Sequence, residues 1–240
     1  ATVTTELASG LARRGSKSLT IAIESGSERM RQVVNKKLSN EEISAAARHA
    51  KDGGLRGLKL YGMVGLPCED NDDVESTAAL LLSLKKGTPG LRFTLGVSTF
   101  VPKAHTPFQW QGVRPEAEKR LKLLAKRLKP KGIDLRPESY GWSVIQALLS
   151  RSDRRLAPVI AAVRGSQESL GGWKKAYRAA LAGELPEARS AGVVLPLPPS
   201  WESVVHDAWA SDTVLPWCHL DGPLSQEKLQ EHRQEALNLG

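Results

Sequence analysis

The strongest constraint in this chain is an alternation repeated through its first 130 residues: an apolar, β-branched run, then an amphipathic segment, three times in succession. "SLTIAIE" at 18–24 is followed by "SERMRQVV" and then by "SNEEISAAARHAKDGG", where Ser39 or Asn40 offers an N-cap and Gly53-Gly54 a stop. A strand at 56–64 leads to a helix from Asn71 to Lys86, and "LRFTLGVSTFV" at 91–101 leads to a helix from Pro115 to Lys129. This βαβαβα order with short connections requires parallel strands covered by helices, in an open α/β sheet or a barrel. Either architecture gathers ligands at the C-terminal ends of its strands. Here those ends are "ESGS", "VGLPCED" and "FVPKAHTPF".

Beyond Gly132 the pattern changes. "IDLRPES" is a candidate further strand, and "YGWSVIQALLS", "RRLAPVIAAV" and "GGWKKAYRAALAG" are helix-like segments set apart by Gly, Ser and Pro. Trp142, Trp173, Trp201, Trp209 and Trp217 all fall here, and "VVLPLPPSW" (193–201) has the composition of an extended linker. The expected organisation is an α/β core over 1–132 and a mostly helical extension over 133–240.

The two cysteines, Cys68 and Cys218, are far apart, which excludes a disulfide scaffold and a self-contained zinc or iron–sulfur site. A reducing cytoplasm is the expected location. No apolar run approaches the roughly 20 residues needed to span a bilayer, and no secretory apolar stretch opens the chain, so no membrane partner is expected. The net charge of +8 is concentrated in the middle: nine bases face three acids between Arg114 and Arg136, and seven face two between Arg151 and Arg178. On the predicted helix, Ala117, Leu121, Leu124 and Leu128 share one face, and Lys119, Lys122, Lys126 and Lys129 form a stripe opposite. Such a stripe is either a solvated face or a patch for the phosphates of tRNA or DNA.

Chemistry-bearing residues cluster at the strand ends. Glu24, Ser25, Gly26 and Ser27 put a carboxylate and two hydroxyls directly before a helix N-terminus. That arrangement can take ribose hydroxyls on Glu24 and a ligand carboxylate on Ser25 and Ser27, or the serines can simply cap the helix. At the second end, glycines allow close backbone approach and Pro67 fixes the exit, while Glu69 and Asp70 open the next helix, where acids favour the dipole in any case. The five histidines match no Ser-His-Asp relay, so hydrolase chemistry is not indicated.

Taken together, "LTIAIESGSERMRQVVNKKLSNEE", "GLKLYGMVGLPCED" and "VSTFVPKAHTPFQW" resemble the C-terminal half of a radical S-adenosylmethionine (SAM) enzyme core, above all that of the cobalamin-binding-domain radical SAM proteins. The resemblance includes the Asn35-Lys36-Lys37 step and covers roughly residues 5–130. It implies the C-terminal half of a (β/α)6 TIM-like barrel. It also implies SAM ribose and carboxylate contacts at Glu24 and Ser25 with Ser27 beside them, an adenine-supporting corner at Met63, Val64 and Gly65 ending in Glu69, and an adenine-side contact at Val101. Lys103, His105 and Thr106 fall near the implied substrate mouth, and no catalytic residue or metal ligand is assigned.

The family's [4Fe–4S] cluster needs three cysteines in a Cys-x3-Cys-x2-Cys loop, which this chain lacks. The chain begins about where a fourth barrel strand would be, so the cluster ligands are expected in a missing N-terminal half, with cobalamin a candidate further cofactor and RNA a candidate substrate. Alone, the chain is not expected to cleave SAM. Cys68 stands where relatives often carry Gly, and a lone thiol does not replace three spaced ligands. The competing expectation is a non-enzymatic basic α/β module that binds nucleic acid through the Lys119–Lys129 stripe.

Overall fold

A computed structural model describes residues 3–164, 168–185 and 200–240. The chain divides into two compact units. One runs through Thr99 and resumes over Glu116–Glu138 and Gln234–Gly240; the other comprises Phe100–Pro115 and Ser139–Arg233.

The first unit is an α/β layer. Helix α1 (Thr5–Arg13) precedes strand β1 (Ser18–Glu24); α2 (Glu28–Val33) and α3 (Asn40–Asp52) lead to β2 (Gly57–Val64); α4 (Asn71–Gly87) leads to β3 (Arg92–Thr99), and α5 (Glu116–Leu128) to β4 (Asp134–Pro137). Local chemistry sets the helix starts. Ser39 and Glu42 close a reciprocal capping box at α3, and Asp70 and Asp73 do the same at α4, each satisfying backbone N–H groups that have no partner within the helix. The sheet is wholly parallel in the order β1-β2-β3-β4. In register, Leu60 stands between Ile21 and Leu95, and Leu58 between Leu19 and Phe93.

The strand order distinguishes the two architectures left open by the sequence. Parallel strands are joined by right-handed crossovers, so strands added one after another in a single direction carry every helix to the same face. A doubly wound sheet instead reverses its order at a switch point. The single direction seen here is the winding of a barrel, and the fold is that of a partial TIM-like barrel. Burial follows from it. Ile21, Ile23, Leu58, Leu60, Phe93, Leu95 and Val97 are buried on the helix-covered face. On the opposite face Thr20, Ala22, Lys59 and Tyr61 are exposed, and Thr94, Gly96 and Ser98 are half-exposed.

The expected boundary at residue 132 falls in the turn before β4, and the compact units do not follow it: β4 completes the sheet by pairing with β3, and the segment 100–115 packs with the helical unit. The third strand also ends at Thr99, two residues before the expected limit.

The second unit contains α6 (Tyr140–Ser150), α7 (Ala157–Val163), α8 (Leu170–Leu181) and α9 (Trp201–Val205), around a core that includes Val144, Leu148, Val159, Tyr177, Trp201 and Val204. Helix α10 (Gln226–Asn238) follows, with Leu229 buried among Trp110, Leu215 and Trp217. Most of the Pro-rich stretch expected as a linker (193–199) lies outside the described residues. Among the described residues no helix is long and apolar enough to cross a membrane.

A tight backbone approach in the first unit is at Gly26, where a Cβ would lie 2.3 Å from Thr77 Cα and 2.9 Å from both Thr77 N and Ser76 O. All three are backbone atoms, so no side-chain rotation relieves the clash. Gly26→Ala is therefore expected to cost about 2 kcal/mol or more, toward the upper range for overpacking. Urea unfolding followed by far-UV circular dichroism measures the cost. An equal change at Gly87, where an added Cβ meets nothing within 4 Å, serves as the control.

Candidate functional site

The C-terminal edge of the sheet brings the β1 and β2 ends side by side, since Glu24 pairs with Gly62 after a register slip between Ala22 and Glu24. Glu24 takes up the left-handed backbone region (φ 62°), uncommon for a residue bearing a side chain and the kind of local strain that concentrates at functional sites. Its carboxylate is 25% exposed and accepts a 3.2 Å hydrogen bond from Lys36 Nζ through Oε1, while Oε2 has no partner among the described residues. The Asn35-Lys36 step thus has a physical role. Asn35 also turns left-handed (φ 52°) and the chain returns Lys36 to the strand end.

Behind Glu24 both serines are buried and engaged. Ser27 Oγ donates to Asp73 Oδ1 (2.6 Å) and accepts from Met30 N–H as the N-cap of α2; Ser25 Oγ accepts from Ser27 N–H (3.1 Å). Gly26 N–H donates to Thr77 Oγ1 (2.9 Å). Asp73 also takes the Arg29 guanidinium, which raises the arginine's pKa, and it accepts from Asp70 N–H. Arg31 is fully buried and spreads its guanidinium over Ser25 O (2.7 Å), Leu38 O (2.6 Å) and Asn40 Oδ1 (2.7 Å), with burial lowering its pKa. The β1 end is held by charge-assisted bonds from residues two helices apart.

At the β2 end, Met63 is half-exposed and Val64 is buried. Gly65 is left-handed (φ 79°), with Ala117 Cβ 2.8 Å from where its own Cβ would stand. Glu69 does more than favour a helix dipole. It is buried, accepts from Gly65 N–H (2.6 Å) and pairs with Arg120 Nη1 (2.9 Å), while Arg120 Nη2 donates to the Glu69 carbonyl (2.6 Å). Burial pushes the Glu69 carboxyl up to about 7, against the opposing pull of Gly65 N–H and the Arg120 charge. Arg120, counted in the sequence as one more base, is a buried clamp on the corner.

Val101 lies in the core of the second unit. His105, also of that unit, is left-handed and packs against Gly222, with its N–H donating to Gln109 Oε1. Within the basic stripe Lys122 pairs with Glu118, and of the other bases of this region Arg127 pairs with Glu75 and Arg136 with Asp134. Sequence reasoning missed Arg31, Arg120, Asp73 and Thr77 as supports of the strand ends. Nothing in local pattern distinguishes them from surface polar residues.

Next to Glu24, the uncovered face of the sheet holds a groove of about 270 Å3 whose lining includes Lys59, Tyr61, Met63, Ser98 and Arg136. Tyr61 lies flat over Gly96, where a Cβ would come within 2.6 Å of the ring. Glycine at this point lets the phenol cover the strand. The free Glu24 oxygen beside this groove fits a hydroxyl-bearing ligand such as a ribose, and the glycine backbone of Gly62 and Gly65 leaves room for close approach. An iron–sulfur cluster does not fit. Cys68 lies against Gly240, Cys218 is exposed in the other unit, and among the described residues no group of three His, Cys, Asp or Glu side chains could hold a metal.

Residues 1–81 match the model of the radical SAM superfamily. The chain is also similar to an uncharacterized protein of Methanocaldococcus jannaschii, with 35% identity over 141 residues that cover 59% of this chain and 31% of the relative. The chain thus spans about a third of the length of that relative.

The Glu69 corner generates a pH prediction. The carboxyl titrates near 4.5 when unfolded and near 7 when folded, so between these values the folded state holds the extra proton and stability falls as pH rises. The 2.5-unit gap corresponds to roughly 3 kcal/mol. Urea unfolding of the wild type and Glu69→Gln across pH 4.5–8 is expected to show this decline in the wild type and a much flatter profile in the variant. Parallel profiles would remove the assignment.

Proposed function

We propose that this chain is the SAM-positioning, substrate-side half of a radical SAM enzyme, with the iron–sulfur ligands in the part of the protein that precedes it. The observation that carries the reading is the singly wound parallel sheet with one bare face, at whose C-terminal edge Glu24 presents an unpaired carboxylate oxygen. The superfamily match over residues 1–81 supports it independently. Once loaded, such a protein draws its radical chemistry from the cluster and SAM; the protein supplies binding and orientation.

In this reading Glu24 accepts hydrogen bonds from the ribose hydroxyls of SAM, and Lys36 fixes the carboxylate in place. Gly62, Met63 and Gly65 form the adjoining wall. Ser25 and Ser27 serve the same pocket through backbone position, because the Ser27 hydroxyl is engaged with Asp73 and the Ser25 hydroxyl with Thr77 and the Ser27 N–H. Glu69 and Arg120 hold the Gly65 turn from behind. Cys68 contributes its carbonyl to Arg29 and has no role toward the cluster. Cobalamin belongs to this proposal only if an Asp-x-His-x-x-Gly stretch accompanies a Cys-x3-Cys-x2-Cys loop upstream.

The test uses the full-length gene product, reconstituted anaerobically with iron and sulfide, reduced, and assayed for 5′-deoxyadenosine. Formation of 5′-deoxyadenosine by the wild type is expected, together with SAM binding weakened about tenfold or more in Glu24→Gln, the order of one lost charge-assisted hydrogen bond. Cys68→Ser is expected to bind SAM as the wild type does. A folded, cluster-loaded protein that makes no 5′-deoxyadenosine would overturn the proposal.

A further inference from the structure

The strand register sets two rows of side chains across the sheet face opposite α3, α4 and α5. Thr20, Lys59 and Thr94 form one row, and Ala22, Tyr61 and Gly96 form the next toward the C-terminal edge. A packed barrel interior fills such layers with bulky branched side chains. These rows hold no Val, Ile or Leu, so this part of the protein leaves the space above them unfilled.

Tyr61 is the one aromatic side chain of these rows, and it is 53% exposed. Its ring takes the space that a side chain at position 96 would fill: a Cβ there would lie 2.6 Å from Cε1 and 2.7 Å from Cδ1. Glycine weakens the interior of a strand, and its use there marks a close approach. Here the ring makes that approach, and its neighbours in the row, Ala22 and Gly96, are too small to cover its outward side. Tyr61 also directly precedes Gly62, the register partner of Glu24, and both Glu24 and Tyr61 line the groove of about 270 Å3. Charge does not select what enters that groove. Lys59 and Arg136 stand in its lining with Glu24 and Glu138, and Arg136 and Glu24 are already paired with Asp134 and Lys36. What distinguishes the groove is its aromatic surface.

We propose that Tyr61 is the specificity-determining residue of this groove and that the substrate presents a planar aromatic or heteroaromatic ring, which stacks on the outward side of the phenol. Offset stacking of two rings adds to the burial of their area, so a planar ring gains over a saturated one of equal size. Thr94 and Ser98, half-exposed in the same lining, offer hydroxyls to polar substituents of the ring. The assignment as substrate rests on the reading of Glu24 as the SAM ribose contact, which places the ring site one step inward from SAM.

Ligand-observed NMR titration of the full-length gene product with two neutral amides of similar size, planar benzamide and saturated cyclohexanecarboxamide, tests the proposal. Benzamide is expected to bind at least about threefold tighter. Tyr61→Phe is expected to keep that preference and Tyr61→Leu to remove it. Gly96→Ala, which sets a methyl where the ring lies, is expected to remove it as well, and it replaces the leucine variant if circular dichroism shows that variant unfolded. SAM affinity is expected to change less than about twofold in Tyr61→Leu. Equal binding of the two amides, or a preference that survives in Tyr61→Leu, would overturn the ring site. Absence of amide binding at millimolar concentration would overturn it in favour of side chains from the preceding part of the protein packed on Tyr61. A loss of SAM affinity of about tenfold in Tyr61→Leu would overturn it in favour of a seat for the adenine. The two readings fail separately: 5′-deoxyadenosine formed by a protein that binds the amides equally removes the ring site alone, and a Tyr61-dependent preference in a protein that forms none keeps the ring site and removes the SAM reading.

Discussion

Parallel strands joined by right-handed crossovers carry their helices to one side when they are laid down in a single direction, and the rest of the first unit depends on that constraint. It leaves one sheet face covered by α3, α4 and α5, while no helix of the first unit among the described residues packs on the other. Parallel sheets are almost always covered on both faces, so a bare one is the inner wall of a barrel or a surface awaiting cover. The polar and aromatic composition of the bare face follows from this. Lys59, Tyr61, Thr94 and Ser98 alternate with Leu58, Leu60, Phe93, Leu95 and Val97 along two neighbouring strands.

A second regularity is the use of buried arginines to fix backbone. Arg31 holds Ser25 O at the β1 end, Arg120 holds Glu69 O at the β2 corner, and Arg151 holds Val204 O and Asp207 O beyond α9. Each guanidinium donates to a backbone carbonyl near an element's end. A cation on buried carbonyls is costly to desolvate, so these contacts specify geometry more than they add stability. At the strand ends that geometry positions Glu24 and the Gly65 turn.

The strands, the helices and their caps were legible because each rests on local chemistry. Ser39 caps α3 and Asp70 opens α4, and the apolar runs at 18–24 and 56–64 became β1 and β2 almost residue for residue. The winding was not legible, because strand order is set by packing between distant segments. Helix α10 passed unnoticed although Ser225 caps its first turn and Leu229 and Ala236 mark its buried side. Arg120 was misjudged for a clearer reason: by type it counts as one more base, and the partner that fixes it, Glu69, stands 51 residues away in the chain.

The sequence by itself determined the βαβ alternation, the acid and hydroxyls at the first strand end, the glycine corner at the second, and the absence of enough cysteines for a cluster. Tertiary structure decided which of those groups remain open to a ligand. Glu24 keeps a free oxygen because Lys36 occupies the other, whereas Ser25 and Ser27 are consumed by Thr77 and Asp73 from another helix. A side chain's type is written in the chain. Whether its hydrogen-bonding capacity is already spent depends on partners some 50 residues distant, and only folding brings those within 3.5 Å.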